Sequence, residues 1–64
     1  MEDFAKNIRK KRTELGLTQD ELARRVGVSQ VAIHQYESGS AVPKMTIAVR
    51  LAKALKTSCE ELME

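Results

Sequence analysis

Apolar positions in this chain recur at helical spacing, and the polar residues between them mark where one helix stops and the next begins. Phe4, Ile8 and Leu15 fall near one face of a 3.6-residue period, with Lys6, Arg9, Lys10 and Arg12 spread around them. That pattern predicts an amphipathic first helix over residues 3–15, ended by Gly16. Thr18-Gln19-Asp20-Glu21 has the form of a capping box, in which the Thr hydroxyl meets an unpaired amide and the Glu reaches back to the Thr18 amide. A second helix therefore begins at Gln19, buries Leu22, Ala23 and Val26, and stops after about two turns at Gly27, which is free to adopt a positive φ.

Ser29 is a good N-cap for a third helix, in which Ala32, Ile33 and Tyr36 share a face while Gln30, Val31, His34 and Gln35 lie toward the other. Ser38-Gly39 ends it. A connection, Ser40-Ala41-Val42-Pro43, leads into a fourth helix with a core stripe of Met45, Ala48, Leu51, Ala52 and Leu55, and Pro43 suits its first turn. Ser58-Cys59-Glu60-Glu61 repeats the capping-box spacing and starts a short fifth helix with Leu62 turned inward. The expected fold is all-α: a compact five-helix single domain, residues 1–64.

Length sharpens this picture. A chain of 64 residues holds one modest core and little room for an enclosed catalytic pocket. Its aromatic residues are Phe4 and Tyr36, and its single cysteine, Cys59, has no partner for an internal bridge, so helix packing and self-association must supply stability. Cys59 reads as a small, half-buried apolar residue. No carboxylate pair, nucleophile with a base, or metal-spaced cluster is present, so no catalytic residue, metal or cofactor is expected. With no spanning run or leader-like segment, the expectation is a cytoplasmic protein with no membrane partner and no small-molecule ligand.

The formal charge is +2, but three of the nine acids, Glu60, Glu61 and Glu64, close the chain. Residues 1–56 carry eleven basic and six acidic side chains, a balance of +5. This moderately basic body suits a polyanion without requiring one. Taken alone, Arg9, Lys10, Lys11 and Arg12 are a solvated helix face.

The second and third helices, joined only by Gly27-Val28-Ser29, must cross steeply and pack through Leu22, Ala23, Val26, Val28, Ile33 and Tyr36. One helix is lodged against the body while the other projects amide side chains outward, at a size that fits the major groove of B-DNA. Here LTQDELARRVGVSQVAIHQYESG resembles the helix-turn-helix of the Cro-type (XRE) phage repressor family, with the unit at about residues 19–38. The flanking IRKKRTELGLTQ, Glu37-Ser38-Gly39, Pro43 and LAKAL follow the family's order and spacing, so the resemblance covers nearly the whole chain.

The resemblance implies a bacterial or phage transcriptional regulator, more a repressor than an activator, bound to an operator in double-stranded DNA. It implies base contacts by Ser29, Gln30, Val31, His34 and Gln35. Glutamine pairs bidentately with adenine N6 and N7, which singles out Gln30 and Gln35, whereas Val31 departs from the usual polar residue and suits a thymine methyl. His34 suits a base or a phosphate. Gln19 matches the family's phosphate-binding glutamine, with Ser38, Ser40, Lys44 and Arg9 as further phosphate contacts by position. Arg12 and Glu37 match a family ion pair that joins the first helix to the end of the recognition helix near the DNA.

Ile47, Val49, Cys59 and Met63 offer more apolar surface than one small domain easily covers. They predict a homodimer interface within about residues 45–64, suited to a pseudo-palindromic site with half-sites about 34 Å apart. The competing reading is an antitoxin-like or adaptor module that uses the same scaffold to bind a protein. Gln30 and Gln35 favour DNA over it.

Overall fold

The computed structural model of the chain describes residues 2–64, and five helices account for its regular structure. They are α1 (Glu2–Glu14), α2 (Gln19–Val26), α3 (Gln30–Ser38), α4 (Met45–Ala54) and α5 (Cys59–Leu62). No strand occurs among the described residues.

The helix boundaries are set by local chemistry. The Thr18 hydroxyl accepts from the Glu21 amide at 3.0 Å, and the Glu21 carboxylate accepts from the Thr18 amide at 2.9 Å, closing both halves of the capping box. The backbone donor, then the hydroxyl, holds the Glu21 carboxyl below the usual carboxylate range. α2 stops at Gly27, whose φ of 85° lets its amide and that of Val28 turn back onto the Ala23 carbonyl. Two residues later the Ser29 hydroxyl accepts from the Ala32 amide at 3.1 Å and starts α3. The chain has no length in which to do anything but cross.

Phe4, Ile8, Leu17, Leu22, Ala23, Val26, Ile33, Leu51, Ala52, Leu55 and Leu62 form one buried cluster with contributions from all five helices. Val28, Tyr36, Ile47, Ala48 and Cys59 pack against it from the edge. Asn7 donates to the Leu62 carbonyl at 2.7 Å and ties α1 to α5 across the ends of the chain.

Four details differ from the sequence reading. Leu15 is exposed and Leu17 is the buried residue, because α1 ends at Glu14 and the turn at Gly16 redirects the chain before the next leucine. Met45 is 72% exposed: it is the first residue of α4, and its side chain leans back past the helix start, away from the core. Pro43 is buried but precedes α4, whose N-cap is Lys44. At Ser58 only half a capping box forms. Its hydroxyl accepts from the Glu61 amide at 3.1 Å and faces the Glu61 carboxylate at 3.5 Å, which leaves the Ser58 amide out.

Candidate nucleic-acid interface

Docking α3 across α2 exposes one side of α3 over its whole length. Ile33 is buried beneath it, while Gln30, Val31, His34 and Gln35 are all exposed, Val31 by 61% although it is apolar. Residues four apart on a helix share a stripe, so the exposed surface divides in two. Val31 and Gln35 form an outward stripe. Gln30 and His34, continued by Glu37 and Ser38, form a second stripe along the edge that meets α1 and α2.

That edge carries a continuous polar network. Arg12, on α1, donates through Nε to Glu37 Oε2 at 2.6 Å and through Nη2 to Glu37 Oε1 at 3.1 Å. Its Nη1 donates to the Leu17 carbonyl at 2.7 Å. Gln19 donates through Nε2 to Glu37 Oε1 at 3.1 Å, and Gln30 donates through Nε2 to Gln19 Oε1 at 3.0 Å. Apart from Arg12 Nη1, the donors run toward the Glu37 carboxylate, so the Gln30–Gln19 and Gln19–Glu37 bonds polarise one another in the same sense. The pair is well shielded from water, with 4% of the Glu37 side chain and 13% of the Arg12 side chain exposed. By contrast the Asp20–Arg24 pair at 3.0 Å is solvated on both sides and adds little.

The network fixes an amide orientation. Gln19 is the first residue of α2 and Gln30 the first of α3, and the crossing brings these two helix starts together. With one Nε2 hydrogen committed to Gln19, the exposed Gln30 keeps one N–H and its Oε1 without a partner among the described residues. A donor and an acceptor side by side match adenine N7 and N6. The sequence assigned Gln19 and Gln30 separately, to phosphate and to base. Their contact was detectable from their shared place at the N-termini of two crossing helices.

At the far end of α3 the Ser38 hydroxyl donates to the Gln35 carbonyl at 3.1 Å and lies 3.0 Å from the Ser40 hydroxyl. The Ser40 amide also donates to that carbonyl at 3.0 Å, so both serines close the helix as well as standing at the exposed surface. Lys44 is exposed at the start of α4, where no side chain caps the free amides. Arg9 lies with Arg12, Gln19, His34, Glu37 and Ser38 around a recess of about 210 Å³ between α1, α2 and α3.

A second, apolar groove of about 170 Å³ is lined by Val42, Pro43, Met45, Ala48, Cys59 and Met63 over Phe4. Val42, Met45 and Met63 are each more than half exposed. The groove includes Cys59 and Met63 from the predicted dimer surface. Ile47 instead packs on the core, and Val49, 38% exposed, stands outside the groove. Val42 and Met45 are the residues that sequence reasoning missed, since a loop valine and a methionine at helical spacing both read as ordinary monomer residues. Among the described residues no group of three or more His, Cys, Asp or Glu side chains is placed to hold a metal ion, and no helix is long and apolar enough to cross a membrane.

Residues 8–62 match the helix-turn-helix family. An uncharacterized HTH-type transcriptional regulator of Methanothermobacter thermautotrophicus is 52% identical over 48 residues, which cover 75% of this chain and 70% of that protein. The HTH-type transcriptional repressor RghR of Bacillus subtilis is 42% identical over 64 residues, covering 98% of this chain and 47% of the repressor. The P22 c2 repressor, solved in complex with a synthetic operator, superposes with a TM-score of 0.90 at 37% identity, over 92% of this chain and 89% of that one.

Proposed function

The chain belongs to the helix-turn-helix family, and on that premise we propose that it is a sequence-specific double-stranded DNA-binding regulator that represses transcription by occupying a pseudo-palindromic operator as a homodimer. The observation that carries this reading is the locked amide of Gln30. A glutamine free on a helix surface loses rotamer freedom when it meets a base. Here Gln19 has already restricted it, and Glu37 and Arg12 have restricted Gln19. Such prepaid ordering favours recognition over a solvated surface role. Gln35 and Val31, on the outward stripe, are the further base contacts, with Ser29 at the head of the helix. Gln19's second N–H, Ser38, Ser40, and Lys44 beside the uncapped α4 amides take backbone phosphates on either side. Arg12 and Glu37 act through Gln19 by positioning it.

Dimerisation follows from the apolar groove. Val42, Met45 and Met63 leave a contiguous apolar rim in water that a second copy would cover. The longest Cα extent is 24 Å, and with a side-chain shell on both sides two abutting copies have the width to place equivalent helices about 34 Å apart, one turn of B-DNA. Two linked recognition helices also compete far better against non-specific DNA than one.

Selection of bound sequences from a random duplex library, at fixed salt, tests the reading. Recovery of a two-fold symmetric consensus is the expected result. Salt-sensitive binding with no consensus would overturn it and leave the scaffold to an antitoxin-like or adaptor role.

A further inference from the structure

Every sulfur among the described residues lines the apolar groove: Met45 at the start of α4, Cys59 at the start of α5 and Met63 at its end. Met63 follows Cys59 by four residues and its amide donates to the Cys59 carbonyl, so the two share one face of α5. Met45, far from them in sequence, comes across on α4. Methionine is ordinarily a buried residue, yet Met45 is 72% and Met63 58% exposed, and Cys59 in the same groove is half-buried.

The other lining residues, Phe4, Val42, Pro43 and Ala48, offer no side-chain oxygen or nitrogen. A polar ligand of this groove must therefore be held by sulfur. A thiolate with thioethers is a soft donor set, which selects a soft ion, and the three rotatable bonds of methionine let exposed thioethers swing onto it. Charge narrows the choice. One thiolate with one monovalent cation is neutral and can sit among apolar side chains, whereas a divalent ion would leave net charge against them. Glu60 and Glu64, exposed next to Cys59 and Met63 in sequence, give this end of the molecule a negative potential that draws cations. We propose that Cys59, Met45 and Met63 form a binding site for a soft monovalent metal ion of the Cu(I) or Ag(I) class. The Cys59 S–H bond breaks as the sulfur–metal bond forms, the proton leaves to solvent, and both thioethers donate lone pairs without change of oxidation state. The site does not rest on the DNA-binding role. It shares the groove with the proposed second copy, so ion and copy exclude one another.

Titration of the purified chain with Ag(I), in buffer free of chloride and added thiols, tests the site. One ion per chain is expected, with one proton released and the methyl resonances of Met45 and Met63 shifting to the same end point. Losing even an outer partner of a metal ligand costs about 10–100-fold in affinity, so Met45→Leu and Met63→Leu should each weaken binding at least about tenfold, and Cys59→Ala more. Leucine replaces methionine at similar volume on exposed positions, so these variants keep the fold. Excess Zn(II) should not displace the ion. No binding by monomeric chain would overturn the proposal, as would wild-type affinity in the double variant Met45→Leu with Met63→Leu, which would reduce the site to a lone thiol, or displacement by zinc. Sedimentation during the titration separates this site from the dimer reading: release of monomer at saturation upholds both, and one ion bound with the mass unchanged upholds the ion site and removes the groove as the dimer surface.

Discussion

Replacing Glu37 with alanine is expected to destabilise the fold by about 3 kcal/mol. The substitution deletes bonds of 2.6 and 3.1 Å from Arg12 and one of 3.1 Å from Gln19, and leaves the Arg12 guanidinium in a site where 13% of its side chain meets water. Removing one partner of a shielded ion pair costs about 3–5 kcal/mol, because the remaining charge loses its counter-ion without regaining its hydration. Arg12 keeps its bond to the Leu17 carbonyl and a partial opening to solvent, which places the cost at the lower end. A chain of 64 residues has in total about 3–10 kcal/mol. Glu37→Ala should therefore lower the thermal midpoint by roughly 10 to 20 °C, and α1 should be the helix that loosens from α3. Urea unfolding followed by helical circular dichroism measures the loss, and the double variant Arg12→Met with Glu37→Leu separates pairing from packing. Replacing both partners should cost less than Glu37→Ala alone, since no bare charge remains. If each single change costs under about 0.5 kcal/mol and the two add, the network does not hold these helices together.

Three further outcomes follow from the geometry. Lys56 adopts a φ of 57° with no glycine to ease it, and the left-handed conformation costs a side-chain-bearing residue about 1–2 kcal/mol, so Lys56→Gly should raise the thermal midpoint by a few degrees after its extra unfolded-state entropy is deducted. The Glu21 carboxyl is held below its ordinary range by the Thr18 amide and hydroxyl, so its contribution to stability is present above the unfolded carboxylate range and is lost as pH falls through the lower folded value. Glu21→Gln should leave a smaller difference between urea midpoints measured at about pH 7 and about pH 3 than the wild type shows. Val31 presents an apolar side chain on the outward stripe, so replacing the contacted thymine by uracil should weaken wild-type binding several-fold and leave Val31→Ala unaffected; equal losses in both would remove the methyl contact.

How much of this was legible in the sequence depended on range. The starts of α2 and α3 are written within four residues each, Thr18 with Glu21 and Ser29 with the Ala32 amide, and local chemistry of that kind survives folding unchanged. Helix periodicity located Ile8, Leu22, Val26, Ile33, Leu51 and Leu62 in the core, because one stripe per helix has only one place to go. It failed at the ends. Carrying the period one residue past Glu14 placed Leu15 inside and overlooked Leu17, and carrying it back to the first residue of α4 buried Met45. The left-handed Lys56 left no trace, since nothing in a lysine announces a positive φ. The Arg12–Glu37 pairing came from resemblance, as no spacing rule joins residues 25 apart. The bond that extends that pair from Gln19 to Gln30 joins the starts of two consecutive helices, whereas the merging of Val42 and Met45 with Met63 into one groove emerged only when segments far apart in sequence were set side by side.

Gln30, held by Gln19, is the side chain proposed to read an adenine. Binding of wild type and Gln30→Ala to the selected operator, with each half-site adenine replaced in turn by 7-deazaadenine, tests it most directly, because that base lacks only the N7 acceptor. One position is expected at which the replacement weakens the wild type about tenfold and leaves Gln30→Ala unmoved. An equal loss in both proteins at every position would contradict it.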